Sequence, residues 1–277
     1  MICDINTGLL CLEVNPDFCR GFLWFLTRLL EVVMKERFKA FILHLLLSLM
    51  VAIGVLFWVF NVWYPVPLHR ALAVTHIFLL LIIVDMVLGP ILTLLVYKPR
   101  KKTLVLDLVV IAALQLSAMI YGLWSVAQGR PAWLVFNGDR FDVVQVVDID
   151  PRHRAQAAPE YQAPSWFGPG WVGADFLASG KYRNEILFEA AFGGPDIAQR
   201  PFLYRPLAEF AEDIQSRAQP LERLADYNDA ETVATTLAKW PQASGWVPLM
   251  ARAQPMVVLL KDDNTDVLGI VALNPWP

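Results

Sequence analysis

From residue 40 to residue 126 the chain is built of long apolar blocks separated by short polar breaks. Three blocks stand out: residues 40–60 (AFILHLLLSLMVAIGVLFWVF), 71–97 (ALAVTHIFLLLIIVDMVLGPILTLLVY) and 104–126 (LVLDLVVIAALQLSAMIYGLWSV). Each reaches the roughly 20 residues that a helix needs to cross a hydrocarbon core of about 30 Å. The pattern therefore predicts three transmembrane helices. After Pro131 the period changes. In AWLVFNGDRFDVVQVV two alternating runs flank Asn137-Gly138, a strong hairpin signal, and residues 256–260 and 267–273 flank a second polar turn. Residues 152–171, rich in Pro, Gly and Ala without periodicity, read as a loop, while 185–192, 206–218 and 231–240 read as short helices. Strands at both ends with helices between them predict a small α+β domain. The expected architecture is a three-helix transmembrane bundle followed by that domain. It divides into a leader at 1–33, a membrane domain at 34–130 and an outer domain at 131–277.

Flanking charge orients the bundle. Lys35, Arg37 and Lys39 precede the first block, and Lys98, Arg100, Lys101 and Lys102 separate the second from the third, whereas YPVPLHR between the first and second contributes only Arg70. The positive-inside rule puts the amino terminus and the KPRKK loop in the cytoplasm and the outer domain across the membrane. In a bacterium with two membranes that is an inner-membrane protein with a periplasmic domain. Trp58, Trp63, Tyr64, Tyr121 and Trp124 all fall at the outer ends of their blocks, as an interfacial aromatic belt requires.

Composition agrees with this split. Hydrophobic residues make up 56% of the chain and the mean hydropathy is +0.46. Residues 34–130 hold nine basic and three acidic side chains, and 131–277 hold twelve basic and nineteen acidic ones. There is no basic face of the kind nucleic acid requires. Cys3, Cys11 and Cys19 are the only cysteines, so the outer domain has no disulfide. Residues 21–33 (GFLWFLTRLLEVV) form an amphipathic piece, and Met34 opens MKERFKAF, a natural start for a membrane protein with a cytoplasmic amino terminus. Two readings stand: translation begins at Met34, or an interfacial helix precedes the first span.

Asp85 lies within the second block, where an ionisable group costs about 2.5–3.5 kcal/mol on insertion scales and so faces protein or a cavity. Counting about 1.5 Å per residue from the cytoplasmic boundary puts Asp85 about 18 Å deep and Gln115 of the third block about 17 Å deep. The same count makes His44 and Asp107 a second level pair, about 7 Å in. Gly89-Pro90 follows Asp85 by one turn. Proline removes a backbone donor and pushes on the carbonyl four residues earlier, which is that of Met86, so Asp85, Gly89, Pro90 and Gln115 form one candidate polar and kinked site. It is read either as an Asp–Gln bond that glues helices or as a notch awaiting another helix or a proton. For His44 and Asp107 the alternatives are a neutral helix contact and snorkelling to the interface. Ser48 with Ala52 and Ala118 with Gly122 offer flat faces for close packing.

Catalytic signatures are missing. There is no G-x-S-x-G, Walker loop or H-E-x-x-H, and His153 is the only histidine beyond residue 130. No enzyme activity, cofactor or metal is expected. Trp166, Phe167 and Trp171 sit among glycines and prolines and are read as capping the domain core, resting on the membrane surface or binding a partner.

The motifs RFKAFILHL, WYP, VDMVLGPILTLLVYKP, LDL, ALQLSAMIYGLW and RPAWLVFNGDRF together resemble those of the type IV pilin accessory proteins of the TfpX/TfpZ type. The likeness is detailed from Arg37 to about Phe141 and rests on layout beyond that; the leader before Met34 departs from the pattern. The resemblance implies an inner-membrane, chaperone-like factor whose partner is a specific type IV pilin, aiding its stability, assembly or surface display. The rival readings are a proton-coupled transporter subunit, which three helices would form only by oligomerising, and a membrane-anchored periplasmic sensor, against which stands the lack of a cytoplasmic output domain.

Overall fold

The computed structural model describes residues 16–261, 263 and 265–276; Cys3, Cys11 and the first part of the leader lie outside them. Helix α1 (Pro16–Trp58) passes through Met34 without a break, so the amphipathic piece and the first apolar block share one helix. It continues as a π-helical turn, Val59–Trp63. Pro65 and Pro67, which disfavour helix at the preceding residues, then end it. The short helix α2 (Leu68–Ala71) follows, then α3 (Val74–Val96), which carries Pro90 inside it, and α4 (Leu104–Gln128). Within the second apolar block the long helix starts only at Val74. Before it, the Ala71 carbonyl accepts bonds from the backbone N–H groups of Ala253 and Gln254, which commits that residue to another part of the molecule. The stretches Met34–Trp63 and Leu104–Gln128 are long and apolar enough to cross a membrane, and within α3 the apolar stretch is Leu81–Val96.

Two compact units result. One holds the described residues up to Ile53 with Leu81–Ile120; the other holds Gly54–Leu80 with the described residues from Tyr121 onward. The second unit thus includes the connection between α1 and α3, and its boundary differs from a division at Pro131.

That second unit is an α+β domain around one mixed, seven-stranded sheet. Its strands are β1 (Pro131–Asn137), β2 (Arg140–Gln145), β3 (Gly170–Ala174), β4 (Tyr204–Pro206), β5 (Gly245–Met250), β6 (Met256–Lys261) and β7 (Asp266–Val271), in the order β4-β3-β1-β2-β5-β6-β7. The two hairpins expected from sequence are β1–β2, turning at Gly138 with φ 75°, and β6–β7. Parallel pairings join β1 to β3 and β2 to β5. Three helices follow the expected positions: α5 (Arg183–Ala191), α6 (Ala211–Arg217) and α7 (Ala230–Leu237). The stretch expected as a loop contains short 3₁₀ turns and ends by entering β3 at Gly170.

Both faces of the sheet are covered, which explains why its central strands are continuous hydrophobic runs. From β1, Leu134 and Phe136 point into a core shared with Leu68, Ala71, Ile214 and Val258, while Trp133 and Val135 point into another with Val172 and Tyr204. From β6, Met256, Val258 and Leu260 join the first core, and Val257 and Leu259 pack with Leu224, Trp246 and Leu273. Gly173 is small because the Phe210 ring occupies the space that a Cβ would fill. Beside the sheet, buried Arg200 bonds Glu189 at 2.5 Å and the Pro195 carbonyl at 2.9 Å, with Asp150 at 3.4 Å. Arg152 reaches the same two carboxylates from outside.

Candidate functional site

The first unit brings α1, α3 and α4 around a cleft of about 210 Å³. Its walls are overwhelmingly apolar, with His44, Ser48, Ala52, Asp85 and Gln115 among the lining residues. Helix α1 lines it with His44, Ser48 and Ala52, α3 with Ile82, Asp85 and Met86, and α4 with Ala112, Gln115 and Met119. His44, Ser48 and Ala52 recur every four residues on α1, and Asp85, Gly89 and Thr93 do so on α3, a spacing that keeps each set on one face. Small residues on these stripes let the helices approach closely.

Three of the four candidate residues, Asp85, Gly89 and Gln115, meet at the Gln115 side chain. The Gln115 Nε2 donates to the backbone carbonyl of Asp85 at 3.0 Å, supplying a side-chain bond one turn before Pro90. Gly89 is buried, and a Cβ on it would overlap the Gln115 amide, so only glycine leaves room for that bond. Pro90 is buried beside it. The expected level of Asp85 and Gln115 matches the geometry, but the bond runs to the backbone rather than the carboxylate. Among the described residues the Asp85 carboxylate has no hydrogen-bond or ion-pair partner, and Asp85 lines the cleft.

His44 and Asp107 do not bond to each other. The His44 Nδ1 lies 2.6 Å from the Thr93 Oγ1, and Asp107 bonds Lys101 at 2.5 Å and accepts from the Thr103 hydroxyl at 3.3 Å. Equal depth on two helices fixes height, not azimuth, and Asp107 has a basic loop nearer to hand. Thr93 is the site residue that sequence reading passed over; its position eight residues after Asp85 on the same stripe is the signal that would have found it. The flat face expected at Ala118 and Gly122 is half used, with Gly122 buried and Ala118 exposed.

In the second unit the aromatic residues just after α1 anchor the connection. The buried Tyr64 hydroxyl donates to the Val126 carbonyl at 2.8 Å, and Trp63 Nε1 donates to the Trp166 carbonyl at 3.1 Å. Burial pushes the Tyr64 phenol well above its ordinary range, so it stays a donor. Groups of three or more His, Cys, Asp or Glu side chains placed to hold a metal are absent among the described residues.

The chain thus combines long apolar helices that enclose a cleft with an α+β domain built on a mixed sheet. The profile of the family "Fimbrial assembly protein FimB" matches residues 32–73, the end of α1 and the connection after it. The chain is 30% identical over 242 residues to the fimbrial assembly protein of serogroup E1 from Dichelobacter nodosus, covering 84% of this chain and 94% of that protein. The serogroup I protein of the same organism is 31% identical over the same shares. The protein of serogroups C1 and C2 is 36% identical over 109 residues, 39% of this chain and 83% of its own length. The chain belongs to this fimbrial assembly protein family, the type IV pilus accessory group that the motifs of its apolar half resemble. No solved structure matches it.

Proposed function

We propose that this protein is a non-enzymatic assembly factor for type IV fimbriae that holds a pilin subunit at the inner membrane before it enters the fibre. In this reading α1, α3 and α4 cross the bilayer with the amino terminus in the cytoplasm, and the α+β domain stands in the periplasm. The family's named role in fimbrial assembly supports it. So does the lipid-like exposure of Leu43, Leu46, Met50, Val105, Val109 and Leu114, side chains that a water-soluble protein of this size would bury or cover. The observation that carries the reading is the cleft. An apolar wall with one unpartnered carboxylate and a bonded amide suits a second apolar helix presenting a hydrogen-bond donor at the level of Asp85.

Photocrosslinking amino acids at Ser48, Ala52 and Met119, in cells making the cognate pilin, test this directly. Capture of pilin at these sites and not at lipid-facing Leu114 is the expected result; equal or absent capture at all four would overturn it. The unpartnered carboxylate also favours a second reading, proton coupling, which predicts a pH-driven flux in proteoliposomes that Asp85→Asn abolishes.

A further inference from the structure

We infer that the loop carrying Trp166 and Phe167 is a membrane anchor, inserted in the phospholipid interface of the leaflet on which the α+β domain sits. The inference rests on the reading of α1 as a membrane span. Trp166 is 56% exposed and Phe167 79%, yet the loop beneath them is firmly held. The Ser165 hydroxyl accepts from the Phe167 N–H at 2.9 Å, Trp63 Nε1 donates to the Trp166 carbonyl at 3.1 Å, and the buried Arg130 guanidinium donates to the Ser165 carbonyl at 3.3 Å. Arg130 also lies 4.2 Å from the centre of the Trp166 ring. The backbone is thus pinned, while the Phe167 ring and the outer side of the Trp166 ring are left exposed.

Two observations say what covers them. Phe167 meets the ring of Trp58 edge-on at 6.0 Å, and Trp58 is the last residue of α1, where its exposed apolar surface ends. The loop therefore lies level with the boundary between hydrocarbon and headgroups, the zone that tryptophan prefers. In addition, the chain from Tyr161 to Ala174 contains no Asp, Glu, Lys or Arg, in a domain that is otherwise densely charged. A charge-free segment with two protruding rings can enter the interface without desolvating an ion, as interfacial apolar faces do to a depth of about 5–10 Å.

Site-directed spin labelling of the full chain in phosphatidylethanolamine–phosphatidylglycerol liposomes tests it. In a background with Cys3, Cys11 and Cys19 replaced by serine, a nitroxide is placed at Phe167→Cys, at Val109→Cys on α4 and at Glu212→Cys on α6. The expected result at 167 is frequent collision with oxygen and a loss of collision with a water-soluble nickel chelate; at 109 the same; at 212 the reverse. Chelate access at 167 equal to that at 212, or shielding of 167 from both probes as under a protein partner, overturns the anchor while 109 still reports lipid. Chelate access at 109 overturns the spanning reading itself, and the anchor with it.

Discussion

Gly89 is occupied from outside: the Gln115 amide fills the place where its side chain would be. Gly89→Ala and Gln115→Ala therefore remove the same bond, and neither loss adds to the other. Each single variant is expected to lose about 0.6 kcal/mol, the average for an interhelical bond in a membrane protein, and the double variant no more than the worse single. Reversible unfolding in mixed micelles measures this cycle. Asp85 is different, because its bond to Gln115 uses the backbone and leaves the carboxylate over. Asp85→Ala should lower surface pilin while the protein inserts at normal levels, and Asp85→Asn should retain display if a neutral hydrogen-bonding group is what a docked helix needs. Immunoblots of membrane and sheared fractions separate these outcomes, and unchanged piliation in Asp85→Ala removes the acid's role. At this scale depth arithmetic found Asp85 and Gln115 level, because rise per residue is nearly constant. It could not say which oxygen takes the bond, nor that His44 faces Thr93 instead of Asp107, because rotation about a helix axis depends on packing.

Among elements, α5 is tied down by charge. Glu189 on α5 bonds Arg152 and Arg200, and these hydrogen bonds, led by that from Arg152, hold its carboxyl down at about 2. A depressed acid contributes stability above its ordinary range near 4.5 and loses it as pH falls through 2. Thermal unfolding of the full protein in detergent should show this loss between those limits, and Glu189→Gln should flatten it. Removing the buried Arg200 is harsher: Arg200→Ala takes away the buried one of the two cations that Asp150 and Glu189 share and leaves them Arg152 alone, a change of up to about 3–5 kcal/mol. Hairpins and helices of the α+β domain were readable because their signals are local: Asn137-Gly138 with alternation on both sides, or the stretch 231–240, which forms α7 behind an Asp229 carboxylate that accepts from the Thr232 N–H. Strands β3 and β5 were not readable. They are interrupted by Gly173 and Pro248, and each takes part in a parallel pairing with a distant partner, β3 with β1 and β5 with β2.

At the scale of the whole molecule, the connection between α1 and α3 is structural rather than a bare turn. Leu68 and Ala71 are fully buried in the core built by β1, β5 and β6. Leu68→Ala should destabilise the α+β unit by about 2–5 kcal/mol, although Leu68 lies more than sixty residues before the first strand. Proteolysis rates of the intact protein in micelles, compared with Val66→Ala at an exposed neighbour, check it. The apolar blocks made helices and their order legible, yet YPVPLHR looked like a plain loop. Nothing in seven residues shows that their partners arrive so much later in the chain.

That arrangement has a consequence for biosynthesis. Leu68 leaves the ribosome long before Val258 and Leu260, which cover it. Until the last two strands are made, the connection has no native neighbour there, so this domain closes only after synthesis is nearly complete. A nascent chain stopped before Met256 holds a sticky, half-built surface, and any delay near the carboxy terminus lengthens the time in which proteases or chaperones can reach it.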